Sequence, residues 1–160
     1  MNATRNECAD QRSPTTLYAV DPGLPVVMHE HVGYLLVRLG KRAQRAFEEA
    51  VAPLGLRPPH FDLLAVLGEQ GAVSQKDVAT ILDVDSARVV AWADELADLG
   101  ALERTPDPAD RRRNLLTLTA EGRRLLRRAQ RAAAKVEADL TAALDADGRA
   151  ALRSLLQRVL

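Results

Sequence analysis

Residues 74–119, SQKDVATILDVDSARVVAWADELADLGALERTPDPADRRRNLLTLT, decide the fold. Ser74 followed three residues later by Asp77 has the spacing of a helix N-cap, and Val78, Ala79, Ile81 and Leu82 supply a short apolar face. Asp83-Val84-Asp85 reads as a turn, after which Asp85 caps a second helix carrying Val89, Trp92, Ala93, Leu96 and Leu99. Gly100 is the natural left-handed terminator. A short helix, a tight turn and a capped helix make a helix-turn-helix. ALERT and LLTLT, on either side of the turn-rich TPDPADRRRN, predict a two-stranded hairpin. Leu116 and Leu118 fall on one face of its second strand, and Leu115, Thr117 and Thr119 on the other.

A hairpin directly after a helix-turn-helix is the wing of a winged-helix domain. The flanking sequence predicts further helices. Upstream, Leu35, Leu36, Leu39, Ala43, Phe47, Val51 and Leu54 recur at three- and four-residue steps until Pro53 and Gly55. Pro58 and Pro59 suit the first turn of the next helix, which carries Leu63, Leu64, Val66 and Leu67 and stops at Gly71. Downstream, Thr119 caps a long helix with Glu121 in its first turn and a stripe of Leu125, Ala129, Ala132, Val136, Leu140 and Ala143. The segment Asp145 to Gly148 is expected to break it before a last helix with Leu152, Leu155, Leu156, Val159 and Leu160. The expected fold class is therefore mainly α with a small β-hairpin, an α+β winged helix-turn-helix.

Four segments follow. Residues 1–28 contain Pro14, Pro22 and Pro25, show no periodicity and are expected to be an irregular extension. Residues 29–56 form the first helix, 57–119 the winged helix-turn-helix lobe with its wing at 101–119, and 120–160 the C-terminal helices. The first and last helices leave apolar stripes that the central lobe is too small to cover. A two-fold dimer built from both termini is the economical way to bury them.

Composition sets the outer limits. The chain has 160 residues, 47% hydrophobic and 28% charged, with aromatics at only 3%, so Leu, Val and Ala must fill the interior. Cys8 is the single cysteine, which excludes an intramolecular disulfide and a Cys-based metal cluster. No apolar run approaches the roughly 18 residues that span a bilayer. The N-terminus lacks the basic-then-apolar order of a secretory signal, so the expectation is a cytoplasmic protein with no membrane partner. No nucleophile elbow, phosphate loop or metal-ligand spacing occurs, so no catalytic residue, metal or cofactor is expected and the chain is not read as an enzyme.

The formal net charge is zero, but the charge is sorted along the chain. Residues 60–100 carry eight acids against Lys76 and Arg88, whereas residues 101–135 carry ten bases against Glu103, Asp107, Asp110 and Glu121. Near the start of the basic block stand Arg111, Arg112 and Arg113, at the wing tip. Three adjacent guanidinium groups are either a solvated loop or an anion-binding device.

From Leu56 to Leu126 the chain resembles the MarR family of bacterial winged-helix transcriptional regulators. The resemblance is carried by SQKDVATILDVDSARV, by ELADLGALERTPDPADRR, and by the wing motif Asp110-Arg111-Arg112, then Leu118-Thr119, then Gly122. It implies a homodimer binding double-stranded DNA, with Asp110 orienting Arg112 into the minor groove. The physics agrees, since a narrow minor groove concentrates negative potential and attracts arginine. Arg111 and Arg113 then flank it and meet phosphates. The recognition helix, residues 85–99, is expected in the major groove with Ser86, Ala87 and Arg88 nearest the bases. Ser74, Gln75 and Lys76 are expected at the phosphate backbone. Arg88 makes a guanine contact, a phosphate contact or an ion pair with Asp85. Val90, Ala91 and Glu95 stand where the family usually has hydroxyl and basic residues, so the wing is expected to carry much of the affinity.

The resemblance further implies a pocket for a small aromatic or phenolic anion, with His31, Tyr34 and Arg38 on the first helix and His60 and Asp62 on the second as candidate contacts. The same residues also suit packing. The function expected is a ligand-responsive repressor of a pseudo-palindromic operator. The alternative is a winged-helix protein–protein interaction module whose acidic helix pair weakens or abolishes DNA binding.

Overall fold

A computed structural model of the chain describes residues 30–108 and 114–160. The chain divides into two compact units, Met1–Arg38 and Leu39–Leu160. In the first, the described residues are 30–38, which lead into and open helix α1 (Val32–Val51). The second holds the rest of α1, a 3-10 turn (Ala52–Leu54), α2 (Pro58–Gln70), β1 (Val73–Ser74), α3 (Gln75–Ile81), α4 (Ser86–Asp98), β2 (Leu102–Pro106), β3 (Asn114–Leu118), α5 (Ala120–Leu140) and α6 (Ala146–Gln157).

The local chemistry of the helix-turn-helix is as its sequence predicts. The Ser74 hydroxyl accepts from the Asp77 N–H at 3.2 Å, and Asp85 Oδ1 accepts from the Ala87 N–H at 2.7 Å. Asp83 takes a left-handed conformation (φ 51°) in the turn between α3 and α4, a conformation that Asp tolerates better than most residues. Gly100, at φ 66°, ends α4 and turns the chain into β2.

The sheet is one strand richer than the expected hairpin, because β1 pairs with β3 through two residues. The sheet order is β1-β3-β2, all antiparallel, with Val73 opposite Leu116 and Leu102 opposite Leu118. Two residues are too few to show an alternation, so β1 leaves no trace in the sequence. Leu116 and Leu118 are buried, while Leu115 and Thr117 are half-buried. The inward and outward faces of β3 are therefore those read from LLTLT.

Leu63, Leu64 and Leu67 of α2, Val78 of α3, Val89, Ala93 and Leu96 of α4, Leu116 of β3 and Leu125 and Ala129 of α5 make one core. Its largest fully buried side chains are all Leu or Val, as the scarcity of aromatics demands. Each such side chain contributes about 1.5–3 kcal/mol on burial. Phe47 and Phe61 meet edge-to-face at 5.1 Å on its margin.

The C-terminal boundary differs from the expectation. α5 ends at Leu140, and Asp145 does not belong to a break running to Gly148. Its carboxylate accepts from the Gly148 N–H at 2.8 Å and so caps α6, which places Gly148 inside the first helical turn. An Asp-x-x-Gly sequence suits a turn and an N-cap alike, and only the hydrogen bond decides between them. Among the described residues no helix is long and apolar enough to cross a membrane, and no His/Cys/Asp/Glu group could hold a metal ion.

Candidate nucleic-acid interface

Helix α4 is amphipathic in a way that fixes what it can present. Val89, Ala93 and Leu96 are buried against the core. At about 100° per residue, the opposite face is centred on Ala87, Ala91, Asp94 and Asp98, with Val90 on one flank and Arg88 and Glu95 on the other. Ser86, Ala87 and Arg88, the residues expected nearest the bases, are all exposed at the N-terminal turn. Arg88 has no ion pair among the described residues, so the expected alternative of a pair with Asp85 is not what the structure shows. Asp85 is occupied in capping instead.

Two of the three acids of α4, Asp94 and Glu95, have partners that the sequence did not reveal. Asp94 pairs with Arg104 of β2 at 2.6 Å, tying the middle of α4 to the wing. Glu95 pairs with Arg57, the N-cap residue of α2, and lies 2.7 Å from His60 Nε2. Each acid thus faces a scaffold cation, which removes much of the repulsion they would otherwise exert on a polyanion. Arg57 was not singled out by the sequence, and nothing local marks it, since it lies 38 residues from Glu95.

His60 is 3% exposed and both its ring nitrogens are engaged. Nδ1 accepts from the Arg57 backbone N–H at 3.2 Å, so the proton of the neutral ring sits on Nε2 and is donated to Glu95. This corrects its expected role as a ligand contact, because the ring is a structural strut between α2 and α4 with no nitrogen left to offer. Burial is the main influence on its pKa and lowers it, outweighing the hydrogen bond that the ring donates to Glu95, which raises it. Arg57 above all holds the Glu95 carboxyl below the usual carboxylate range.

A pH dependence follows. The unfolded histidine titrates near pH 6.5 and the folded one lower, so between those values the unfolded chain binds the extra proton. Stability is therefore full above about pH 6.5, falls as pH drops below it, and levels off once the folded ring is also protonated. Urea midpoints measured between pH 8 and pH 5 should show this decline, and His60→Gln should flatten it. An equal slope in the two proteins would rule His60 out as its source.

The remaining expected residues are placed unevenly. Ser74 is buried, and its hydroxyl both caps Asp77 and donates to its carboxylate at 2.6 Å. This corrects the expected phosphate contact of the Ser74 side chain, which is buried and already hydrogen-bonded within the turn. Gln75 is half-buried and Lys76 exposed, both at the start of α3. Asp62 lies at the surface of α2, with enough water displaced from its carboxyl to raise its pKa. His31 and Arg38 are exposed and Tyr34 half-buried. β2 and β3 stay paired out to Pro106 and Asn114. Asp110, Arg111, Arg112 and Arg113 lie outside the described residues.

Comparison with known proteins matches this arrangement. Residues 54–113 match the family model described as MarR family. A putative transcriptional regulatory protein for the hcr operon of Thauera aromatica is 30% identical over 82% of this chain and 80% of its own length. An HTH-type transcriptional repressor of Mycobacterium tuberculosis is also 30% identical, over 80% of this chain and 92% of its own. Among solved structures, the transcriptional repressor CouR bound to a 23-mer DNA duplex is 37% identical with a TM-score of 0.76, covering 82% of this chain and 94% of that one. CouR from Rhodococcus jostii RHA1 bound to p-coumaroyl-CoA is 31% identical with a TM-score of 0.72, over 84% and 95% of the two chains.

Proposed function

Because the chain belongs to the MarR family of transcriptional regulators, we propose that it is a homodimeric, ligand-responsive repressor of a pseudo-palindromic operator in the bacterial cytoplasm. The observation that carries the reading is the exposed N-terminal turn of α4, with Arg88 unpaired among the described residues and Asp94 and Glu95 turned to scaffold cations. α4 enters the major groove, and Arg111, Arg112 and Arg113, with Asp110 aiming Arg112, engage the adjacent minor groove and its phosphates. Two copies of α4 then meet half-sites about 34 Å apart. The protein–protein alternative rested on the acidity of the helix pair, and the pairs Asp94–Arg104 and Glu95–Arg57 weaken that ground.

Dimerisation is supported by the apolar surface of the outer helices. Leu39, Ala43 and Phe47 of α1, Val136 and Leu140 of α5, and Leu152 and Leu156 of α6 line a cleft of about 420 Å³. Beside it Leu155, Val159 and Leu160 are exposed. A face of this kind suits a second copy. Leu155→Arg combined with Val159→Arg alters only exposed positions. It should raise the dimer dissociation constant at least about tenfold in sedimentation equilibrium and leave the helical content unchanged. The proposed effector is a small aromatic or phenolic anion that holds the two recognition helices at the wrong spacing. His31, just before α1, and Tyr34 and Arg38 of α1 remain candidate contacts, whereas His60 has no free ring nitrogen and the Asp62 carboxylate supplies no counter-charge to an anion.

The reading is tested with the full-length chain and duplex DNA from its own upstream region, by fluorescence anisotropy across a salt series. Specific binding whose log affinity falls linearly with log salt is expected. Failure to prefer any duplex over bulk DNA would leave the repressor reading without support.

A further inference from the structure

In its first two turns the reading face of α4 is mostly apolar, and that apolar part favours one base. Among the exposed residues of its first two turns, Arg88 is the sole cation, while Ala87, Val90 and Ala91 expose only methyl groups. Val90 is 40% exposed, although Val89 beside it is fully buried. Ala87 and Ala91 are one helical turn apart, about 6 Å along the axis, which is roughly two base-pair steps. The next outward residue, Asp94, is tied to Arg104.

In the major groove every base edge offers polar donors and acceptors, and the one apolar group is the thymine 5-methyl. A valine set against an amino or carbonyl edge would displace water and return no hydrogen bond, which is unfavourable. Against a thymine methyl it loses nothing and buries apolar surface.

We infer that Ala87, Val90 and Ala91 form a reading surface for thymine methyl groups, so that each operator half-site carries thymine–adenine pairs beside the guanine met by Arg88. The inference rests on the DNA-binding reading above and determines its specificity. Base choice within the half-site then comes from two hydrogen-bonding side chains, Ser86 and Arg88, and a patch of methyls.

The test starts from duplexes selected out of a random pool by the full-length chain. Each selected thymine is replaced in turn by deoxyuridine, which pairs identically but lacks the methyl. Replacement at the thymine facing Val90, in both half-sites, should weaken binding about fifteenfold, or about fourfold per methyl. Val90→Ala, a change at an exposed position that leaves the core untouched, should bind the thymine duplex less well and lose most of its discrimination against deoxyuridine. A chain that binds its selected duplex but ignores every deoxyuridine replacement overturns the inference and leaves the DNA-binding reading standing. A chain that enriches no duplex overturns both.

Discussion

Arg112→Ala should weaken operator binding by two to four orders of magnitude while leaving the thermal midpoint of the protein unchanged. The size of the effect follows from how few cations the described reading surface retains. Arg57 and Arg104 are paired with Glu95 and Asp94, which leaves Lys76 and Arg88 exposed near the helix-turn-helix. The wing must therefore supply a large part of the attraction to DNA. A hydrogen bond to a charged group is worth about 1.5–3 kcal/mol, and a dimer loses two, giving about 3–6 kcal/mol. The slope of log affinity against log salt should become shallower by about two, one for each arginine removed. Arg112→Lys separates charge from shape. It should keep the salt slope yet recover only part of the affinity, because an ammonium lacks the planar fork of guanidinium. Anisotropy titrations from about 50 to 200 mM salt measure both quantities. Unchanged affinity and slope in Arg112→Ala would show the wing tip to be a solvated loop.

The second large effect concerns stability. Gly122→Ala should cost about 3 kcal/mol, lowering the thermal midpoint by about 6–12 °C. A methyl at Gly122 would sit 1.9 Å from the carbonyl oxygen of Ala101, well inside any tolerable contact. Neither side has room to yield. Ala101 is fully buried, and its carbonyl oxygen accepts from the Thr119 N–H at 3.2 Å. The Thr119 hydroxyl donates to the Gly100 carbonyl at 2.7 Å and accepts from the Gly122 N–H at 3.0 Å. The start of α5 is thus clamped to the end of α4 and the base of the wing, and the clamp closes only without a side chain at 122. Gly40→Ala provides the control, since among the described residues nothing beyond its chain neighbours and the adjacent backbone of its own helix lies within 4 Å of the added methyl. Alanine is the better helix former by up to about 1 kcal/mol, so this variant should be as stable as the parent or more so. Chemical denaturation of the two variants reads out the contrast, and equal losses would refute the clamp.

These two residues also mark how far the sequence could be read. Gly122 is visible in it as part of the motif running from Asp110 through Leu118-Thr119. The carbonyl that forbids a side chain there belongs to Ala101, and no spacing rule links the two. The helix-turn-helix was legible because its signals are short in range. Ser74 and Asp77, Asp85 and Ala87, and Thr119 and Gly122 are each two or three residues apart, which is the reach of a capping hydrogen bond. Asp145 shows the limit of that legibility, since the same residues serve a turn or a cap and only the bond to Gly148 distinguishes them.

The acids of α4 go beyond that limit. Read in sequence, Asp94 and Glu95 argued against a DNA-binding helix, because a chain written out in order shows only net charge along its length. Folding brings Arg104 to Asp94 across the α4–β2 turn and Arg57 to Glu95 from 38 residues away. The same packing removes the His60 ring from solvent and commits both its nitrogens. The sequence by itself determined the helices, the caps at Ser74, Asp85 and Thr119, the hairpin and the residues that α4 turns outward, because periodicity and capping act over one or two helical turns. Which charges remain free to meet a polyanion was decided only by the tertiary structure, because electrostatic partners are chosen by distance in space and not by position along the chain.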